Sequence, residues 1–499
     1  MKRLLQAVKR VLSPPEDLTS RTIIGGVWAA LTNGGGQVLQ MINLMVLARL
    51  LSPSDFGLFG IALLAMTALK RFSRLGFDTA LVQNKKDNVN AYLDTVFTLQ
   101  ILRGIVIAGV AFSTAPLVAA FFNEPRAELL LRVIALATLF QMFYNPGTVY
   151  FEKDLEFHKQ FVFSLSGSVF QVIVSISYAL VDPTVWALAA GMLASKGAQL
   201  VVSYLIHSYR PWPRFDRERA AELVGYGKWI FGSSAVSFFY SEGDDIFVGR
   251  VLGSSALGVY QLAYRLSNAP ATEIAHTISR VAMPAYSKVQ DDTAALREGF
   301  HRVLQFSSLA SIPIGVGIFV VAPVFVPTVL GDGWGAMVRP MQVLAVFGVL
   351  RSIRTSTTPL FRAVGRPDYP AKIHALRLCV MIVTIWPLTD AFGLVGTALS
   401  VLLTSALGIP IATFLAIRIV DDDLRSLAVI VGVPALGSLL MGVSAYAVRQ
   451  FVTQTAGMFP ALVATILTGV VAYGVAILSA ERYFHVGLRD FVGQVRQSL

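Results

Sequence analysis

Apolar stretches long enough to cross a bilayer follow one another almost without a break from Thr22 to Ala480. A spanning helix takes roughly 20 apolar residues, because each rises about 1.5 Å through a hydrocarbon core of about 30 Å. The stretches are continuously apolar rather than alternating, which predicts helices and not the strands of a barrel. Spans are expected at 22–49, 54–72, 94–121, 127–150, 157–180, 184–207, 223–252, 255–275, 301–329, 337–361, 371–389, 392–418, 425–448 and 457–480. The fold class is therefore all-α and polytopic, with about 14 transmembrane helices.

The chain also repeats itself. A shift of 201 residues lays Thr22–Ala62 over Leu223–Ala263 and matches Gly26 with Gly227, Trp28 with Trp229, Arg49 with Arg250, Leu51 with Leu252, Ser54 with Ser255, Gly57 with Gly258 and Ala62 with Ala263. The matches fall where the first helix of each half exits and a Ser/Gly turn starts the second. Six spans separate the repeats, an even number, so both halves share one orientation and are related by an axis along the membrane normal. This predicts two pseudo-symmetric six-helix lobes, 22–209 and 223–420, joined by a linker at 210–222 and followed by two further helices over 421–480. At the termini, 1–21 reads as a basic amphipathic segment and 481–499 as an amphipathic tail, both expected on the cytoplasmic membrane surface: Leu4, Leu5, Val8, Val11 and Leu12 face away from Lys2, Arg3, Lys9 and Arg10, and Phe484, Leu488, Phe491, Val495 and Leu499 form a similar stripe.

Composition agrees: 55% of residues are hydrophobic and 14% charged, with a mean hydropathy of +0.64, against about 25% charge in a soluble chain. The net charge of +11 does not point to nucleic acid, because the basic residues are scattered between apolar spans instead of gathered on one face. Their placement reports topology. With the N-terminus inside, only Arg49, Arg126, Arg132, Arg250, Arg339 and Arg449 of the 41 Lys and Arg fall outside, five lie within spans and the other 30 face the cytoplasm. Excess positive charge on one side predicts cytoplasmic N- and C-termini. The Lys2–Arg10 segment leads into an apolar stretch too long for a cleaved signal, so the first span starts near Thr22. The lone cysteine, Cys379, excludes an intramolecular disulfide and a thiolate metal cluster.

Polar residues inside spans carry the chemistry. Asn33, Gly36, Gln40 and Asn43 recur at helical spacing in the first helix, and the shift places Ser234, Ser237, Ser241 and Asp244 on the seventh. Such stripes line a wet cavity or bond helix to helix. Charges are sharper, since even mild insertion scales charge about 2.5–3.5 kcal/mol for Arg, Lys or Asp at a helix centre. Arg103 and Lys196 lie near mid-span, sharing a face with Gln100 and Gln199 respectively; Arg265, Arg351 and Arg354 follow, and Glu242, Asp244 and Asp245 cluster near Arg250. Each cation taken alone fits a structural ion pair or snorkelling. Together they suit an anionic substrate such as a diphosphate.

Neither an HExxH zinc pattern nor a GxSxG elbow nor a Walker loop occurs, and Gly227-Lys228 is followed by Trp229. The triplet Asp421–Asp423 admits a metal-sugar-nucleotide site or a solvated turn, and the turn is the expectation. No periplasmic loop exceeds about a dozen residues by this topology, which opposes a polymerase. No catalytic residue, metal or cofactor is expected.

Several segments are familiar: Leu47–Leu58 (LARLLSPSDFGL), Ile278–Asp292 (ISRVAMPAYSKVQDD), Gly348–Ser352 (GVLRS), Leu155-Glu156-Phe157 and Gly365-Arg366-Pro367. They resemble the polysaccharide transporter family of the multidrug/oligosaccharidyl-lipid/polysaccharide exporter superfamily, closest to flippases of the colanic-acid exporter type. The resemblance implies a bacterial inner-membrane flippase. It would move undecaprenyl-diphosphate-linked oligosaccharide repeat units by alternating access for exopolysaccharide, capsule or O-antigen assembly. A basic cavity would hold the sugar-diphosphate, the lipid tail would stay among membrane lipids, and a polysaccharide polymerase and export machinery would be partners. A cation-coupled multidrug antiporter of the same superfamily, or a membrane glycan polymerase, is the alternative.

Overall fold

A computed structural model describes residues 18–73, 90–153, 156–213 and 227–484. The side chains at 18–27, 29–30, 33, 90–92, 152–153, 227–236, 269–281 and 482–484 fall outside that description. So do nearly all of the terminal amphipathic segments and most of the 210–222 linker.

Every expected span has a helix at its place: α1 Leu18–Leu50, α2 Pro53–Phe72, α3 Asn90–Phe122, α4 Arg126–Met142, α5 Phe157–Val181, α6 Trp186–Ile206, α7 Gly227–Val251, α8 Ser254–Lys288, α9 Thr293–Phe325, α10 Val338–Ala363, α11 Asp368–Phe392, α12 Leu394–Val420, α13 Leu424–Ala456 and α14 Met458–Phe484. Among the described residues, nine helical stretches are long and apolar enough to cross a membrane by length and composition. Their outward faces are the apolar kind that hydrocarbon accepts: Leu436, Leu439, Leu440 and Val443 on α13, and Leu467, Val470, Val471 and Leu478 on α14, are exposed.

Four boundaries differ from the expectation by eight residues or more, one of them the end of α13, at Ala456 where 448 was expected. The fourth span stops at Met142, and the chain continues through a 3-10 turn, Pro146–Thr148, into a five-residue helix, Val149–Lys153. Asn145 causes the break: its side chain accepts the Gly147 N–H at 2.9 Å, offering the backbone a turn in place of the helix ladder. The α8 helix runs on to Lys288, and α9 starts at Thr293 where Asp292 caps it by accepting the Ala294 and Ala295 N–H groups. Both extensions are polar turns beyond the apolar run, so hydropathy alone misses them.

The chain forms two compact units, Met1–Gly258 and Val259–Leu499. In the first, α3 packs on α4, α5 on α6, α4 on α6, and α1 on α5. In the second, α9 packs on α10, α11 on α12, and α10 on α12, the pairings that a six-helix shift produces from the first. The last two helices pack on each other and on α9. The unit boundary comes later in the chain than the 210–222 linker: α7 packs on α2 and α3 inside the first unit.

Local chemistry fixes the ends. Ser52 and Asp55 form a capping box at the start of α2, with Pro53 in the first turn, and Asp55 also accepts the Val185 N–H at 3.2 Å, tying α2 to the entry of α6. The acidic triplet is a turn. Asp421 closes α12 in the left-handed conformation, and Asp423 caps α13 through the Ser426 N–H. Asp422 accepts from His301 on α9 at 2.5 Å and from Ser426 at 2.7 Å. Burial pushes the Asp422 carboxyl up, but the hydrogen bonds from His301, Ser426 and the Asp423 N–H outweigh it and hold the pKa below its ordinary value.

Candidate functional site

The last turn of α2 carries Lys70 and Arg71. Carbonyls at a helix C-terminus have no intrahelical donor, and the dipole there favours cations. Arg103, reaching across from α3, supplies the missing donors. Its Nη2 donates to the Lys70 carbonyl at 3.0 Å and its Nε to the Ser73 hydroxyl at 3.2 Å, while Ser73 donates to the same carbonyl at 3.2 Å. The guanidinium thus caps α2.

The Lys70 side chain turns the other way and donates from Nζ to Gln141 Oε1 on α4 at 3.2 Å. On α6, Lys196 donates to Gln199 Oε1 at 3.3 Å, and the same oxygen accepts the Tyr144 hydroxyl at 2.8 Å. Gly167 on α5 makes room for that amide, since a Cβ there would sit 2.7 Å from Gln199 Cδ. Lys70 lies within electrostatic reach of both Lys196 and Arg103, and all three are half-buried. Four helices therefore bring three cations together, each ammonium held by a neutral amide oxygen. An ammonium has three donors, so either lysine can take an anionic oxygen and keep its glutamine.

Of the residues singled out in the sequence, Arg103 and Lys196 meet here, and Lys196 shares its face with Gln199 as drawn. Arg103 turns from Gln100 on its own helix to the end of α2. Lys70, Gln141 and Tyr144 escaped the sequence reading. Lys70 was readable only as a positive residue at a span's end, because its nearness to Arg103 and Lys196 is a tertiary fact.

The polar stripes divide. The side chain of Asn33 lies outside the described residues, and Gln40 is exposed. Asn43 is buried and accepts the Ser175 hydroxyl at 2.7 Å, which is the interhelical-bonding alternative. On α7, the Ser237 carbonyl, the Ser241 hydroxyl and the Glu242 carboxylate all accept from Arg71, at 3.2, 2.6 and 3.3 Å. The acid's partner is thus Arg71 of α2, whereas Arg250 lies over the Phe121 ring at 5.8 Å. Asp244 is buried and Asp245 half-buried on the same helix. The remaining cations belong to the second unit: Arg265 is exposed on α8, Arg351 donates from α10 to the Tyr264 hydroxyl at 3.2 Å, and Arg354 is half-buried one turn further on.

Comparison with known proteins converges on one group. The chain is 26% identical over 407 residues to the lipopolysaccharide biosynthesis protein WzxC of Escherichia coli, covering 80% of this chain and 82% of that one. It is 23% identical over 353 residues to the teichuronic acid biosynthesis protein TuaB of Bacillus subtilis, covering 70% and 73%. In fold it is similar to the lipid II flippase MurJ in an inward closed conformation, with a TM-score of 0.72 at 14% identity over 91% of this chain and 98% of that one. The family described as "Polysaccharide biosynthesis protein" matches residues 46–339, more than half of the chain, and this multi-pass membrane protein belongs to that family.

Proposed function

We propose that the protein is a flippase that carries lipid-linked oligosaccharide repeat units across the bacterial inner membrane for cell-surface polysaccharide assembly, and that it acts as a transporter and not as an enzyme. The observation that carries the reading is the meeting of Lys70, Arg103 and Lys196, with both ammonium groups bonded to neutral amides inside apolar helices. Holding like charges together where water is scarce is unfavourable unless an anion joins them at some stage of the cycle. A phosphorylated lipid head is such an anion, and its acyl tail can stay in the bilayer while the head passes.

In this reading the head enters from the cytoplasmic side, where both termini lie, and meets Arg103 and Lys196. Lys196 stands ten residues from either end of α6, about 15 Å along the helix in each direction, halfway along it. Arg265, Arg351 and Arg354 would guide the same head along the second unit. A polymerase and export machinery would receive the product.

Deleting the gene tests the reading. Surface polysaccharide is lost while undecaprenyl-diphosphate-linked repeat units still form and collect on the cytoplasmic leaflet. Single repeat units exposed on the outer leaflet would instead show a defect in polymerisation and contradict a flippase.

A further inference from the structure

Lys70 separates from Arg103 by the work each side chain does. Arg103 spends its Nε and Nη2 on the end of α2. Lys70 and Lys196 are tethered at single points, to Gln141 on α4 and to Gln199 on α6. The cluster thus offers two compact point charges, fixed by different glutamines on different helices, backed by a guanidinium that adds charge and holds Lys70 in place. One phosphate needs one such point. A head with two linked phosphates matches two points and the total charge.

We propose that Lys70 is a direct ligand of the second phosphate of a diphosphate head, Lys196 taking the first, so that the cluster selects a lipid diphosphate over the corresponding monophosphate. The proposal rests on the reading that this cluster holds the anionic head. Arg103 also positions: its bonds to the Lys70 carbonyl and the Ser73 hydroxyl fix the turn from which Lys70 projects. The Gln141 amide sets the direction of the Lys70 ammonium, and with two donors left an incoming phosphate does not have to displace that amide.

The test is binding of undecaprenyl diphosphate and of undecaprenyl monophosphate to the purified full-length protein, read by native mass spectrometry at matched lipid concentrations. The wild-type protein prefers the diphosphate. Lys70→Gln weakens diphosphate binding about tenfold or more, the scale of a lost charge-assisted hydrogen bond, and changes monophosphate binding by less than about threefold. Lys70→Arg keeps the preference, and Gln141→Leu, which removes the amide that directs the Lys70 ammonium but leaves the charge, reduces it by less than Lys70→Gln does. These two variants carry the test if Lys70→Gln does not fold. Equal losses for both lipids in Lys70→Gln, or loss of the preference in Lys70→Arg, would make Lys70 structural and overturn the proposal. If Arg103→Gln with Lys196→Gln alters neither lipid's binding, the underlying site reading fails as well, and the two failures are told apart.

Discussion

Gly57 and Gly258 cross backbone to backbone, and the contact is symmetric: a Cβ on Gly57 would collide with the Ser254 carbonyl, and one on Gly258 with the Pro53 carbonyl. The 201-residue shift carries Gly57 onto Gly258 and Pro53 onto Ser254, so the two equivalent turns of the repeat meet each other in a reciprocal contact. Side chains close the same crossing. Ser54 and Ser254 lie 3.5 Å apart, Ser254 hydrogen-bonds Glu124, and Arg126 donates to Ser54 at 3.3 Å.

Because the contact is symmetric, Gly57→Ala and Gly258→Ala destabilise this conformation by similar amounts, about 1–3 kcal/mol, the usual cost of overpacking. The double variant costs less than the two added together, since the first substitution already parts the turns. Thermal unfolding of the purified protein measures all three. Strongly unequal single effects, or full additivity, would contradict the symmetric crossing.

Arg103 bonds through two nitrogens to two acceptors, so a lysine, which places one point charge, is a poor substitute. Arg103→Lys and Arg103→Gln both lower polysaccharide output per amount of protein in the membrane, and Lys recovers less than half of the difference. Export by Arg103→Lys at the wild-type level would show that charge alone matters there.

Arg71 joins α2 to α7 through Glu242, with side chains 31% and 23% exposed, and through Ser241 and the Ser237 carbonyl. A double-mutant cycle with Arg71→Ala and Glu242→Gln yields a coupling energy of about 0.5–3 kcal/mol in thermal stability. Solvent screening places it toward the lower end of that range. A coupling near zero would mean that the pair is incidental.

Asp422 supplies a pH dependence of known sign. Its carboxyl titrates lower in the folded protein than in the unfolded chain. Its contribution is therefore complete above the unfolded value of about 3.9 and is lost as pH falls through the lower folded value. Asp422→Asn lowers the melting temperature at pH 7, and the gap to the wild-type protein closes below about pH 4. A gap that widens in acid would assign the opposite sign.

Hydropathy made the helices legible because lipid demands a continuous apolar surface, and Arg49/Arg250 with Gly57/Gly258 made the repeat legible. What hydropathy could not show was where polar turns extend or end a helix, as at Asn145 and along α8 to Lys288. The site was half legible. Arg103 and Lys196 stood out because a charge inside an apolar run is costly, but Arg103's acceptors lie on α2, 30 and 33 residues away in sequence. Lys70 stood at a span's end, where a lysine is ordinary, and Asn43 marked a packing contact with Ser175.

The central claim is most directly tested by translocation in proteoliposomes that contain only the purified protein and a fluorescent undecaprenyl-diphosphate-linked saccharide. A membrane-impermeant quencher added outside reports the fraction of label that has crossed. The wild-type protein lets nearly all of the label become accessible, while Arg103→Gln with Lys196→Gln, inserted in equal amount, leaves about half protected, as in protein-free vesicles with label in both leaflets. Protection that is the same with and without the wild-type protein would contradict the flippase, and full accessibility with the double variant would contradict the cation site.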